Sequence, residues 1–192
     1  MRRRARRSRL AAHPPAPELV RPVAMAIVSS AEAGLQAASR ATILQLRAPA
    51  MTAADIEREA MLLVASSPVP VLISARCDVA LACKAAGVNL PERDISTRDA
   101  RTLLGERLIG RSVHSLEVAL AAEREGADFV IFGPVWESTS HPQEKAAGVE
   151  ALSRVAHELR IPVLAIGGVT EDRISECAAA GAAGYAAIRL FG

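Results

Sequence analysis

The sequence predicts a single-domain α/β fold, a closed (β/α)8 TIM barrel, and three observations predict it. Apolar runs of strand length recur eight times, at 23–28, 42–46, 69–74, 87–90, 107–113, 128–132, 161–166 and 183–189. Helix-start signals and short connections separate them. The apolar residues, 51% of 192, are mainly Ala, Val, Leu and Ile with only 3% aromatics, as buried parallel strands covered by helices require. An open doubly wound sheet fits less well, because it usually has fewer strands and a topological switch. The chain is short for a barrel, which typically needs about 250 residues. A brief first helix, near 31–40, and a missing or vestigial last helix are therefore expected.

The elements follow in order. After the first two strands, Thr52 with Asp55 three residues on forms a capping box ahead of Ile56, Leu63 and Val64, and Ser96 with Asp99 repeats the device before the fifth strand. Ser115 precedes Leu116, Ala119 and Leu120, which share a helix face. Val149, Leu152, Val155, Ala156 and Leu159 form another apolar stripe. Thr170, with Glu171 and Asp172 in the first turn, opens a last helix that Gly181 ends. Each stripe is core packing rather than a cofactor box.

Charge divides the chain. Its net charge is +2, but Arg2, Arg3, Arg4, Arg6, Arg7 and Arg9 stand in a head without acidic residues, so the remainder carries 17 basic against 21 acidic side chains, a net of −4. The head can attract nucleic acid or anionic lipid. Without interleaved aromatics, and followed by His13-Pro14-Pro15-Ala16-Pro17, it reads more simply as a solvated, disordered tail over 1–20, ahead of a barrel domain over 21–192. An Arg-rich, acid-poor organelle-targeting head is a further reading. The prolines interrupt any run of signal-peptide length, and no later run approaches membrane-spanning length. A soluble, cytoplasmic protein is expected, with no nucleic-acid or membrane partner and with homo-oligomerisation left open. Cys77, Cys83 and Cys177 form no CxxC pair and are expected to be reduced. The four histidines lack ligand spacing, so no metal site and no cofactor are expected.

Barrel chemistry sits at the carboxyl ends of the strands, which selects the candidate residues. Strand alternation puts Gly110, Ser112 and His114 on one face of the fifth strand and Ile109, Arg111 and Val113 on the other. If the first set faces the barrel, His114 stands at the rim, where an imidazole can give and take a proton near neutral pH. A histidine that merely bonds its neighbours is the alternative. Gln45 and Arg47 share a face of the second strand, and a guanidinium suits a carboxylate or phosphate. A structural ion pair at the rim fits them equally. Gly167 and Gly168 end the seventh strand, where a backbone without Cβ can approach a phosphate; a tight turn is the simpler role. Arg189, at the tip of the eighth strand, is a second phosphate candidate or an ordinary surface charge. Other residues at strand ends are Ser74, Arg76, Asn89, Asp94 and the segment 133–139. A small anionic substrate is the expected partner.

Three stretches, Ile109-Gly-Arg-Ser-Val-His-Ser-Leu-Glu, Gly126-Ala-Asp-Phe-Val-Ile-Phe-Gly-Pro-Val and Ile161-Pro-Val-Leu-Ala-Ile-Gly-Gly-Val, resemble the thiamine phosphate synthase and thiazole tautomerase (TenI) superfamily. The resemblance continues more weakly at Leu44-Gln-Leu-Arg and Arg76-Cys-Asp-Val-Ala and is absent over the first twenty or so residues. It implies one of two reactions on a thiazole phosphate. The synthase joins it to hydroxymethylpyrimidine pyrophosphate with loss of pyrophosphate, and the tautomerase shifts a proton to make the ring aromatic. The synthase pattern has a lysine where Pro49 stands, Asn-Asp where Ser74-Ala75 stand, and a lysine where His141 stands. Of its magnesium carboxylates only Asp94 has a counterpart. These departures favour the tautomerase, an isomerase of thiamine biosynthesis needing one acid–base group and no metal. The resemblance then assigns proton transfer to His114 and phosphate to Gly167, Gly168, Ile188 and Arg189, with Arg189 replacing a more usual serine. Gln45, Arg47, Ser112 and Thr139 lie near the substrate, and Trp136 covers the ring or simply packs. A barrel that binds thiazole or thiamine phosphates without catalysis is the third reading.

Overall fold

The computed structural model describes residues 18–137 and 145–191. Eight parallel strands close into a barrel in sequence order: β1 Val23–Val28, β2 Ile43–Leu46, β3 Val71–Ser74, β4 Gly87–Leu90, β5 Leu108–Val113, β6 Phe129–Phe132, β7 Val163–Ala165 and β8 Gly184–Ala187. β1 pairs with both β2 and β8, and Met25, facing Ile43 on one side and Ala186 on the other, marks the closure. The predicted fold class holds. All eight predicted strands are present, six of them shorter than predicted.

Seven helices cover the strands: α1 Ala31–Ala37, α2 Ala53–Ser66, α3 Cys77–Ala82, α4 Thr97–Leu104, α5 Leu116–Arg124, α6 Val149–Glu158 and α7 Ile174–Ala179. The first is brief, as expected. The predicted caps form where short polar side chains satisfy first-turn N–H groups: Thr52 Oγ1 accepts from Asp55 N (3.2 Å) and Ser96 Oγ from Asp99 N (3.0 Å). Ser115 Oγ accepts from Val118 N (3.3 Å). The Thr170 start differs from the prediction. Its hydroxyl makes no cap bond, and the chain enters α7 through a 3-10 turn, Glu171–Arg173. Beyond β8 the described chain turns rather than forming a helix, and Phe191 folds back to stack on Tyr185, ring centroids 6.1 Å apart. The predicted 1–20 tail falls mostly outside the described residues.

Three apolar layers result. Val23, Met25, Ile43, Leu72, Phe129 and Leu164 fill the barrel interior. The outward faces of β1–β5 pack against α1–α4, and those of β5–β7 against α5–α7. Removing one cap tests the helix-start reading. Ser96→Ala is expected to lower stability by about 1 kcal/mol, measured by urea unfolding, because Ser96 Oγ also donates to Asp99 Oδ2 (2.7 Å).

Candidate functional site

A cavity of about 560 Å³ opens at the carboxyl ends of the strands, within the range of small-molecule sites. Strand alternation determines what reaches it. Gln45, Ser74, Asn89 and Ser112 point inward from β2 to β5 above the apolar interior and form its floor. Asn89 Nδ2 donates to Ser112 Oγ (3.0 Å). Gln45 and Asn89 are 2% and 3% exposed, and Gln45 Oε1 and Asn89 Oδ1 have no hydrogen-bond partner. Buried acceptors of this kind carry a desolvation cost until a donor meets them. Both oxygens are themselves sealed from the cavity, and Asn89 Oδ1 faces Gly110 on the neighbouring strand.

Gly167 and Gly168 form one wall, with φ of 88° and 67°. The Gly167 carbonyl accepts from Trp136 N (3.1 Å), and the Gly168 carbonyl from Arg173 Nη1 (2.8 Å). Because each peptide is planar and trans, the N–H groups of Gly168 and Val169 point the opposite way from those carbonyls. A Cβ on Gly168 would lie 2.7 Å from both the Glu137 carbonyl oxygen and Trp136 Cβ, so the β6–α6 loop packs directly on the turn. Ile188 and Arg189 line the cavity beside it.

Most residues selected from sequence meet here: Gln45, Arg47, Ser112, His114, Gly167, Gly168, Ile188 and Arg189 all line the cavity. Trp136 is placed behind the lining, with the Arg173 guanidinium over its ring, 5.1 Å from the centroid. Thr139 lies outside the described residues. Arg76 is turned away to Asp78 in a two-bond pair (2.8 and 2.5 Å), which holds the Asp78 carboxyl down to about 2. Asp94 is occupied with its own loop, its Oδ1 accepting from Ile95 N (2.7 Å). Burial pushes the thiols of Cys77, Cys83 and Cys177 up, leaving weak nucleophiles.

Two charged lining residues escaped sequence reasoning. Arg173, from the 3-10 turn, brings a cation to the glycine wall. Glu92, from the β4–α4 loop, accepts at a single oxygen, Oε2, from His114 N (2.9 Å) and meets His114 Nδ1 at 2.7 Å. Sequence reading gave His114 no partner; the structure gives it a carboxylate. A signal for that loop was present in Arg111, a charged residue on the outer face of an apolar strand. It is 8% exposed, and its guanidinium donates to the carbonyls of Ile95 (2.6 Å), Glu92 (2.8 Å) and Asp94 (3.4 Å).

A family model described as thiamine monophosphate synthase (TMP-TENI) matches residues 20–191. The chain belongs to this family. A thiamine-phosphate synthase of Anaeromyxobacter dehalogenans is 39% identical over 164 residues, covering 84% of this chain and 73% of the relative. A relative in Aquifex aeolicus is 41% identical over 120 residues, and the match spans 62% of this chain and 64% of that protein's length. The solved structure of a thiamine phosphate pyrophosphorylase from Pyrococcus furiosus superposes with a TM-score of 0.79 at 30% identity, covering 86% of this chain and 85% of that one.

These relatives overturn the isomerase reading. Proteins from 34% to 44% identical carry the name thiamine-phosphate synthase, so the synthase alternative displaces the tautomerase. The sequence reading erred by weighing Pro49, Ser74 and His141 one at a time as lost cations and ligands. Arg173 brings a guanidinium to the same mouth from a segment outside those motifs. Magnesium is a separate matter. Magnesium keeps several waters and is bound through one or two carboxylates together with substrate phosphates. Among the described residues no group of three or more His, Cys, Asp or Glu is placed to hold a metal ion. Asp94 caps its loop, Glu92 holds His114, and Glu137 is the other carboxylate lining the cavity. The described residues thus form no all-protein cage, and a magnesium ion here would be held by the substrate phosphates with a lining carboxylate such as Glu137.

Proposed function

We propose that the protein is a transferase of thiamine-phosphate synthesis that joins a thiazole phosphate to hydroxymethylpyrimidine pyrophosphate and releases pyrophosphate. The observation that carries this reading is one cavity with two unlike halves. Its floor carries the polar side chains of Gln45, Ser74, Asn89 and Ser112, and its wall combines two glycines in left-handed backbone with nearby guanidinium groups. A synthase must hold a nitrogen heterocycle and phosphate groups together, and a floor and wall of this character suit those two tasks.

In this reading Gln45, Asn89 and Ser112 form the polar floor against which the pyrimidine ring rests. Gly167, Gly168, Ile188 and Arg189 hold the thiazole phosphate against the N–H edge of the glycine turn, with Arg173 adding charge. Arg47, across the mouth just beyond β2, faces the pyrophosphate. No helix among the described residues is long and apolar enough to cross a membrane.

The test is direct. Purified protein incubated with both substrates is expected to form thiamine phosphate, read by fluorescence after oxidation to thiochrome, with stoichiometric release of pyrophosphate. Failure to form product at high enzyme concentration, with or without magnesium, would reject the transferase. Calorimetric binding of thiazole phosphate alongside that failure would put a non-catalytic binding barrel in its place.

A further inference from the structure

The glycine wall has a polarity, and a single side chain holds one half of it. Gly167 and Gly168 sit in left-handed backbone, φ 88° and 67°, and a peptide that follows a glycine can turn over at little cost, because no Cβ resists either orientation. Turned one way, such a peptide offers its N–H to the cavity; turned the other, it offers a carbonyl oxygen. Here both glycine carbonyls are tied back. Trp136 N donates to the Gly167 oxygen (3.1 Å) and Arg173 Nη1 to the Gly168 oxygen (2.8 Å). The N–H groups of Gly168 and Val169, which a trans peptide aims the opposite way, are left over. Among the described residues nothing accepts from either, and both residues line the cavity. The Arg173 guanidinium is held in its turn, 5.1 Å from the centroid of the Trp136 ring, a cation–π contact that limits its swing. Trp136 therefore supports the turn twice, with its main-chain N–H and with its ring. The tie to Gly167 is main chain to main chain, whereas the tie to Gly168 belongs to one side chain.

We propose, resting on the synthase reading, that Arg173 is a positioning residue that fixes the polarity of the glycine wall and so makes the cavity select a thiazole phosphate over the corresponding thiazole alcohol. The selectivity follows from what each ligand can do at the wall. A phosphate dianion accepts at every oxygen and donates nothing, so it is stabilised by N–H groups and repelled by a carbonyl. A hydroxyl accepts from an N–H or donates to a carbonyl, so it fits the Gly168–Val169 peptide in either orientation. Holding the Gly168 carbonyl away from the ligand therefore favours the phosphate and leaves the alcohol nearly indifferent. Arg173 also brings its charge to the cavity lining. The two contributions are separable, because a charge felt through solvent fades in salt and the direction of a peptide does not. Arg173 comes from the 3-10 turn Glu171–Arg173, five residues beyond the carbonyl it holds, so the geometry of that turn decides which way the wall faces.

The experiment uses the full-length protein and measures binding of thiazole phosphate and of the thiazole alcohol by calorimetry, with circular dichroism as the check on folding. In Arg173→Met the preference for the phosphate is expected to fall about ten- to a hundredfold relative to wild type, the share of a hydrogen-bond arrangement around a charged group. Affinity for the alcohol is expected to stay within about threefold, which a general collapse of the site would not allow. The fall is expected to persist in about 1 M salt, where the Debye length is about 3 Å. Arg173→Lys keeps a donor and a charge and is expected to recover part of the preference. In nitrogen-15 spectra of the wild type, the Val169 amide is expected to shift on addition of thiazole phosphate and to stay in place with the alcohol. That last readout stands whether or not a variant folds. A phosphate preference unchanged in Arg173→Met, a fall that disappears in salt, or a Val169 amide that does not respond to the phosphate overturns the role of Arg173 while leaving the synthase standing. A wild type that shows the preference and the amide shift but forms no thiamine phosphate rejects the synthase and leaves the role of Arg173 standing.

Discussion

Gly168→Val is expected to lower kcat/KM for the thiazole phosphate by at least about a hundredfold, because valine fails at this position for two independent reasons. The backbone is the first. At φ 67° a β-branched side chain sits in the left-handed region, at a cost of about 1–3 kcal/mol. The surroundings are the second. A Cβ would lie 2.7 Å from the Glu137 carbonyl oxygen and from Trp136 Cβ, so the β6–α6 loop must move away or the turn must rotate. Either response disturbs the Gly168 carbonyl bond to Arg173 and swings the Gly168 and Val169 N–H groups from their present direction. Phosphate recognition by backbone donors tolerates little such rotation. The loss is expected mainly in KM for the thiazole phosphate, with KM for the pyrimidine substrate little changed, since the floor residues lie on β2 to β5. Steady-state kinetics with each substrate varied separately reads the split. Equal losses in both would place the phosphate elsewhere in the mouth.

Arg173 and Glu92 show where the sequence stopped being informative. The barrel was legible because buried parallel strands are short apolar runs, because Thr52, Ser96 and Ser115 announce helices with their own side chains, and because eight such runs close a ring in order. α3 is different. It begins at Arg76 without a side-chain cap bond, and nothing local announced it. The mouth was legible to the extent that it is built by alternation along strands, which brought Gln45, Asn89, Ser112 and His114 to one face. Glu92 lies in a loop, Pro91-Glu92-Arg93-Asp94, that has no period, and its contact with His114 spans 22 residues. Arg173 was read as part of a helix opening, where its side chain had no assigned direction. The 3-10 turn directs it onto the glycine wall and the Trp136 ring. The reaction was misread for a related reason. Single departures at Pro49, Ser74-Ala75 and His141 are visible in one dimension, whereas a cation supplied from another loop is visible only in three.

Below the mouth, Phe129→Ala is expected to be the most destabilising single truncation in the barrel interior, at about 3–5 kcal/mol. The ring is 0% exposed and belongs to the inner layer with Met25, Leu72 and Leu164. It lies across the space that a side chain at position 110 would occupy, since a Cβ on Gly110 would meet Phe129 Cζ at 2.2 Å and Asn89 Oδ1 at 2.8 Å. Glycine at 110 and phenylalanine at 129 are therefore two halves of one packing solution on adjacent strands that are paired in register. Deleting the ring leaves a void directly beneath Asn89 and Ser112, and a closed ring of strands has little freedom to collapse into it. Thermal unfolding is expected to shift down by about 10 °C, with weaker pyrimidine binding as the floor loosens. Gly110→Ala alone is also expected to destabilise, by about 1–3 kcal/mol, because its methyl overlaps the ring. The pair is expected to couple: Gly110→Ala added to Phe129→Ala should cost less than the sum of the two single changes by about 1 kcal/mol or more, as the methyl enters the vacated space. A double-mutant cycle by urea unfolding measures that coupling, and strict additivity would mean that position 110 does not face the Phe129 ring.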